Sequence, residues 1–252
     1  MRYAIITGIS RGLGESIAKY FLESGINVIG ISRSGSTTLD KFAKSNNVGF
    51  THFPCDLGNV AEIESTFEQI SKEVFIEDAT SVYLVNNAAV LDPINPSMDI
   101  KSAELAYHMQ VNTIAPMVLT NLFLKAATEN DITMVGVIVT SGAAQRPVYG
   151  WSAYCSSKAS INRYTEIAAL EQAELKTGNK IIAFNPGIMD TNMQETIRSS
   201  SKDSFKDVET FKDYKKNNAL QDTDTVGGIL VDILTDEGSI ENGKIYNASD
   251  YF

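Results

Sequence analysis

The 252-residue sequence predicts one α/β domain spanning residues 1–252, a doubly wound parallel sheet of about seven strands with helices on both faces. Short β-branched runs alternate with helix-period segments along the whole chain. The first strand runs into a glycine-rich turn, and no linker, internal repeat or low-complexity tract interrupts the alternation.

Each predicted strand ends at a motif, so the elements are best justified in order. Strand 3–6 leads through Thr7-Gly8-Ile9-Ser10-Arg11-Gly12-Leu13-Gly14 into helix 14–24. Gly8, Gly12 and Gly14 let the backbone turn tightly and approach a pyrophosphate, with Ser10, Arg11 and Leu13 beside it and free N–H groups at the helix start. The spacing is Gly-x-x-x-Gly-x-Gly rather than the commoner Gly-x-Gly-x-x-Gly, and a turn that uses glycine for geometry alone is the alternative. With the later motifs, it marks a Rossmann-type fold. Strand 27–31 leads through Ser32-Arg33-Ser34 into helix 39–45. This turn meets the adenosine ribose in dinucleotide folds. A carboxylate there favours NAD, whereas Arg33 flanked by two hydroxyls favours the 2′-phosphate of NADP(H), with Arg11 a second candidate and a solvated loop charge the alternative.

Strand 49–53 is followed by Cys55-Asp56-Leu57 and helix 61–74; Asp56 either accepts from the adenine amino group or caps that helix. Strand 81–85 ends at Asn86-Asn87-Ala88-Ala89, small residues against which a cofactor can lie, and helix 102–127 carries Asn112. Strand 135–139 ends near Ser141, and helix 153–176 carries Tyr154 and Lys158. Residues i and i+4 share a helix face, so Lys158 is expected to lower the phenol's pKa from about 10 and make Tyr154 a proton donor or acceptor near neutral pH. Strand 180–184 leads to Pro186, Gly187, Ile188 and Thr191, and helix 225–234 and strand 244–246 close the fold. Between them, 189–218 is polar, rich in Ser, Lys and Asp, and without a strand pattern. It is expected to be a substrate lid rather than a core element. Met189 at its start and Trp151 are substrate candidates, with core packing the alternative for Trp151.

Composition narrows the functions. A net charge of −10 argues against nucleic-acid or anionic-membrane binding but leaves room for an anionic cofactor at a local positive site. The two cysteines, Cys55 and Cys155, make no disulfide framework and fit a reducing compartment. The start shows no signal-peptide pattern and no apolar run approaches the roughly eighteen residues of a membrane span, so a cytoplasmic protein is expected. His52 and His108 lack metal-ligand spacing, so no metal is expected, and Cys155 points away from Tyr154's face.

In order and spacing, residues 7–14, 86–89, Asn112, Ser141, Tyr154 with Lys158, and Pro186-Gly187 resemble the sequential motifs of the short-chain dehydrogenase/reductases. Ala89 departs from the family's usual glycine. Tyr149-Gly150-Trp151, residues 186–191 and Arg198-Ser199-Ser200-Ser201-Lys202 are similar to the sepiapterin-reductase-like branch, which includes bacterial benzil reductases forming (S)-benzoin.

The resemblance implies an NADP(H)-dependent reductase of a small carbonyl substrate. Tyr154 would be the general acid, Ser141 would hold the carbonyl oxygen, and Lys158 would bind the nicotinamide ribose. Asn112 would anchor a water, the alternative being a buried amide with local bonds, while Pro186, Gly187, Ile188 and Thr191 would bind the carboxamide. It further implies a homodimer or homotetramer. The carboxylate that holds pterins in that branch aligns with Asn247, or with Asp250 if shifted. A 3-oxoacyl or sugar oxidoreductase, or a non-catalytic cofactor sensor, is the alternative; retention of Ser141, Tyr154 and Lys158 counts against the sensor.

Overall fold

The computed structural model describes residues 1–75 and 79–252. Its strands are β1 (Arg2–Thr7), β2 (Asn27–Ser32), β3 (Phe50–Pro54), β4 (Ser81–Asn86), β5 (Thr133–Val139), β6 (Lys180–Asn185) and β7 (Ile245–Asn247). They pair in parallel in the order β3-β2-β1-β4-β5-β6-β7. The order reverses between β1 and β4, and in such sheets ligands bind at that reversal, beyond the carboxyl ends of the strands. The motifs at 7–14, 32–34, 55–57, 86–89, 141 and 186–187 lie at or just beyond those ends.

Helices α1 (Gly12–Glu23), α2 (Thr37–Asn46) and α9 (Thr223–Thr235) cover one face. They bury Ile17, Phe21, Leu39 and Leu230 against Ile6, Val28 and Tyr83. Helices α3 (Val60–Val74), α5 (Ala115–Glu129) and α6 (Ser152–Leu175) cover the other, where Ile63, Ile70, Leu119, Phe123 and Ala168 pack on Ile5, Ile29 and Leu84. Alternate residues of β1 thus feed opposite cores, as the two-residue period of a strand requires.

Two expectations need correction. The single helix 102–127 is instead α4 (Ser102–Met109), a π turn (Gln110–Ile114) and α5. The cause is Pro116, which has no N–H for the carbonyl of Asn112 and whose ring crowds it, so the ladder widens and Ala115 N–H reaches Gln110 instead. Segment 189–218 is not devoid of core residues. It forms α7 (Asn192–Arg198) and α8 (Val208–Lys216) and buries Ile197, Phe205, Val208 and Phe211 in a third apolar cluster around Trp151. Its base is pinned by Asp190 N–H to Gln221 O (3.1 Å) and Gln221 N–H to Ile188 O (2.9 Å).

Candidate active site

The glycine turn brings backbone, not side chains, to the cleft. Gly8 (φ 75°) and Gly12 (φ 60°) adopt left-handed conformations, and a Cβ on Gly14 would collide with the Gly8 carbonyl. The turn is stitched to β4: Thr7 Oγ1 accepts from Asn87 N–H and Ala88 N–H, each at 3.0 Å, while Asn87 Nδ2 donates to Thr7 O (3.0 Å) and Gly8 O (3.3 Å). These groups open on a cleft of about 710 Å³ that runs from the turn to Tyr154.

Most of the expected residues line this cleft. Gly8, Ser10, Arg11, Gly12, Leu13, Asn87 and Ala88 lie at its centre, with Ser32, Arg33, Ser34, Asp56 and Leu57 towards β2 and β3. Ser141, Trp151, Tyr154, Lys158, Pro186, Gly187, Ile188, Met189 and Thr191 lie at the far end. Gly14 and Asn112 do not line it. Gly14 lies beneath Gly8, and Asn112 is buried in the π turn with its side chain tied to Val90, accepting from its N–H (2.8 Å) and donating to its carbonyl (2.7 Å).

Arg11 and Arg33 are exposed, and no described carboxylate pairs with either. Ser32 differs from expectation: its hydroxyl donates to Ser34 O (2.8 Å) beside His52 Nε2 (3.2 Å), so it holds the loop rather than offering a free donor. Asp56 does not cap α3. Asn59 does, accepting from Ala61 N–H at 3.1 Å, whereas Asp56 accepts from Gly58 N–H at 2.9 Å and faces the cleft.

At the far end Tyr154 and Lys158 project from α6, with Lys158 Nζ 5.7 Å from the phenol ring centroid. The expected depression of the phenol is not found. Burial pushes Tyr154 up to about 12, only partly opposed by a hydrogen bond with Ser141. Burial also pulls Lys158 down to about 8, and its ammonium donates to Val139 O at 2.8 Å. Sequence spacing gives the neighbours but not the desolvation, which disfavours the charged form of both groups.

Trp151 serves both of its alternatives. It lines the cleft and is only 4% exposed, stacked on Phe205 (4.8 Å between centroids) and edge-on to Tyr154 (5.3 Å) and Phe211 (5.5 Å). Leu91, Met193, Ile197 and Phe211 complete an apolar wall that sequence reasoning missed. The i, i+4 pair Met193 and Ile197 was its only local trace. Burial raises the Cys155 thiol, which keeps it from being a ready thiolate. Neither Asn247 nor Asp250 lines the cleft.

A family model described as short chain dehydrogenase matches residues 2–202. The chain belongs to the short-chain dehydrogenase family. It is 37% identical to a benzil reductase ((S)-benzoin forming) of Bacillus subtilis (strain 168), covering 100% of both chains. Identity to a benzil reductase ((S)-benzoin forming) of Bacillus cereus is 36%, over 94% of this chain and 95% of that one. The solved KRED1-Pglu enzyme superposes with a TM-score of 0.81 at 26% identity, over 97% of this chain and all of that one. The protein is therefore a carbonyl reductase that acts on C=O and CH–OH groups with a nicotinamide cofactor. The residues fit that cofactor: left-handed Gly8 and Gly12 bring bare backbone to the cleft, and the exposed guanidiniums of Arg11 and Arg33 line it with no described carboxylate paired to either. Among the described residues, no helix is long and apolar enough to cross a membrane.

Proposed function

We propose that the protein is an NADPH-dependent reductase of small ketones and vicinal dicarbonyls of the benzil type, with Tyr154 as the proton donor. The observation that carries this reading is the meeting of a protonated phenol, the Ser141 hydroxyl and a buried ammonium against the apolar wall of Trp151, Leu91 and Phe211. When bound, the nicotinamide supplies the hydride. Ser141 holds the carbonyl oxygen within reach of Tyr154, and the phenol gives its proton to that oxygen as negative charge develops on it. Lys158 steadies the phenolate left behind, and solvent returns the proton. A water linking Lys158 to solvent would be held by the Asn112 main-chain carbonyl, released by Pro116, because both amide hydrogens of Asn112 are engaged.

At the other end Arg11 and Arg33 hold the 2′-phosphate, Asp56 faces the adenine, and Pro186, Gly187, Ile188 and Thr191 receive the carboxamide. Segment 189–218 covers the reacting carbonyl through Met189, Ile197 and Phe211. The free thiols Cys55 and Cys155 fit a cytoplasmic enzyme, and by family analogy it assembles as a homodimer or homotetramer. The test is consumption of NADPH, against NADH, with a panel of benzil, aliphatic diketones, a 3-oxoacyl thioester and a keto sugar. Preference for the thioester or sugar would overturn the substrate class, and preference for NADH would overturn the cofactor.

A further inference from the structure

Behind Tyr154 lies a polar cluster whose central ring, His108, has no place in the chemistry above. His108, near the end of α4, is fully buried. Its Nδ1 lies 2.7 Å from the carbonyl oxygen of Asp92, and its Nε2 lies 3.0 Å from Asn112 Nδ2 and 3.2 Å from Ser157 Oγ. A carbonyl oxygen only accepts, so Nδ1 carries a proton. The Asn112 amide is oriented independently by Val90, whose N–H donates to Oδ1. Its nitrogen therefore aims an N–H at His108, which requires a lone pair on Nε2. Both constraints select the neutral imidazole protonated on Nδ1, the form that burial and the nearby Lys158 charge also favour.

The ring bonds to two parts of the centre and packs beside a third, since Ser157 has one hydroxyl proton and gives it to Tyr154 O. Asp92 belongs to the loop whose Leu91 lines the cleft, Asn112 sits in the π turn, and Ser157 lies on α6 with its hydroxyl donating to Tyr154 O at 2.9 Å. The imidazole also meets the Tyr154 ring edge-on at 6.2 Å between centroids. We infer that His108 is a positioning residue for the reduction: its imidazole, donating to the loop and accepting from the π turn, sets Tyr154 relative to the Leu91 wall. The inference rests on the reading of Tyr154 as proton donor. His108 itself moves no proton to substrate.

An apolar ring of equal volume would leave the Asp92 carbonyl and an Asn112 N–H unpaired in the interior, and the loop and helix would shift to recover partners. A misplacement of about 1 Å at a reacting group can cost about 10²-fold. Glutamine and asparagine carry the same donor and acceptor, but only glutamine reaches as deep as Nε2, whereas asparagine, one carbon shorter, stops near the depth of Nδ1 and leaves the Asn112 N–H unpaired.

The experiment is steady-state kinetics with NADPH and benzil on wild type, Tyr154→Phe, His108→Leu, His108→Asn and His108→Gln. The expected result is a fall in kcat of about 10–10² for the leucine and asparagine variants, with the KM for NADPH within about twofold of wild type and most of kcat restored by glutamine. Wild-type kcat in His108→Leu would overturn the inference, as would equal losses in all three variants. Should His108→Leu fail to fold, the contrast of glutamine with asparagine decides alone, and equal turnover in those two overturns it. If wild type reduced benzil while Tyr154→Phe kept full turnover, the proton-donor reading and this inference would fall together. If only the His108 variants behaved like wild type, this inference alone would fall.

Discussion

At the glycine-turn end the cleft is lined by backbone and small residues, Gly8, Gly12 and Ala88, with Thr7 and Asn87 tying β1 to β4. At the far end it uses side chains, drawn from the loop at Leu91, from α6 and from α7 and α8. Contacts at the first end tie two strand ends together through short groups, and the turn leaves no room for a Cβ at Gly14. Contacts at the second are long-range and held by an aromatic stack around Trp151. Substitutions at the two ends should therefore separate KM for the cofactor from kcat.

The largest expected effect is that of Tyr154→Phe, which removes the proton donor at the side-chain end. Turnover should drop by about 10²–10⁴ while NADPH binding, measured by fluorescence titration, stays near wild type. Gly14→Ala should do the reverse, because its methyl group collides with the Gly8 carbonyl and deforms the turn. Near-wild-type turnover in Tyr154→Phe, or unchanged NADPH affinity in Gly14→Ala, would erase the contrast.

Arg33→Ala tests a place where the backbone end relies on a charged side chain. A hydrogen-bonded charge is worth about 1.5–3 kcal/mol, so KM for NADPH should rise by about 10–10² while that for NADH hardly moves. Equal changes for both cofactors would make Arg33 a surface charge. Retained discrimination would shift the role to Arg11.

The pH dependence sharpens the comparison from the other side. With Tyr154 pushed up to about 12, the phenol keeps its proton through the neutral range, so loss of the donor does not limit reduction there. Lys158, pulled down to about 8, loses its positive charge as pH rises through that value. Reduction should therefore decline above about pH 8, whereas alcohol oxidation, which needs the phenolate, should climb with pH. Parallel pH profiles in the two directions would contradict the assignment.

Legibility in the sequence follows the same divide. The glycine turn, Arg33 and Ser141 were readable because each follows a strand end, and the Tyr154–Lys158 pair because an i, i+4 spacing shares one helix face. Pro116 is visible in the sequence, yet only its crowding of the Asn112 carbonyl in three dimensions turns a proline into a π turn. Ile197, Phe205 and Phe211 were hidden among serines, lysines and aspartates, since an apolar cluster assembled across a loop leaves no period. The upward shift of Tyr154 was illegible for a different reason: burial is a property of the fold, and it outweighed the opposing Ser141 hydrogen bond.

The smallest effect is expected furthest from both ends, and it bears on substrate class. By resemblance, a pterin would need a carboxylate near the C-terminus, and only Asp250 is acidic there, beside the neutral Asn247. Asp250 is exposed, accepts from Asn247 Nδ2 at 3.4 Å and lies outside the cleft, while Asn247 accepts from Asn185 Nδ2 at 3.1 Å. Neither supplies the charge-assisted pair, roughly twice as strong as a neutral one, that would anchor an amino-substituted ring. The wall of Trp151, Leu91 and Phe211 instead offers apolar contact suited to phenyl groups. Benzil should accordingly be reduced with a higher kcat/KM than sepiapterin, and Asp250→Asn should leave both within about twofold of wild type, the scatter of an ordinary surface change of up to about 0.5 kcal/mol. The measurement is kcat/KM for both substrates with NADPH in wild type and variant. A sepiapterin preference that collapses in Asp250→Asn would make the C-terminus part of the substrate end and Asp250 its anchor.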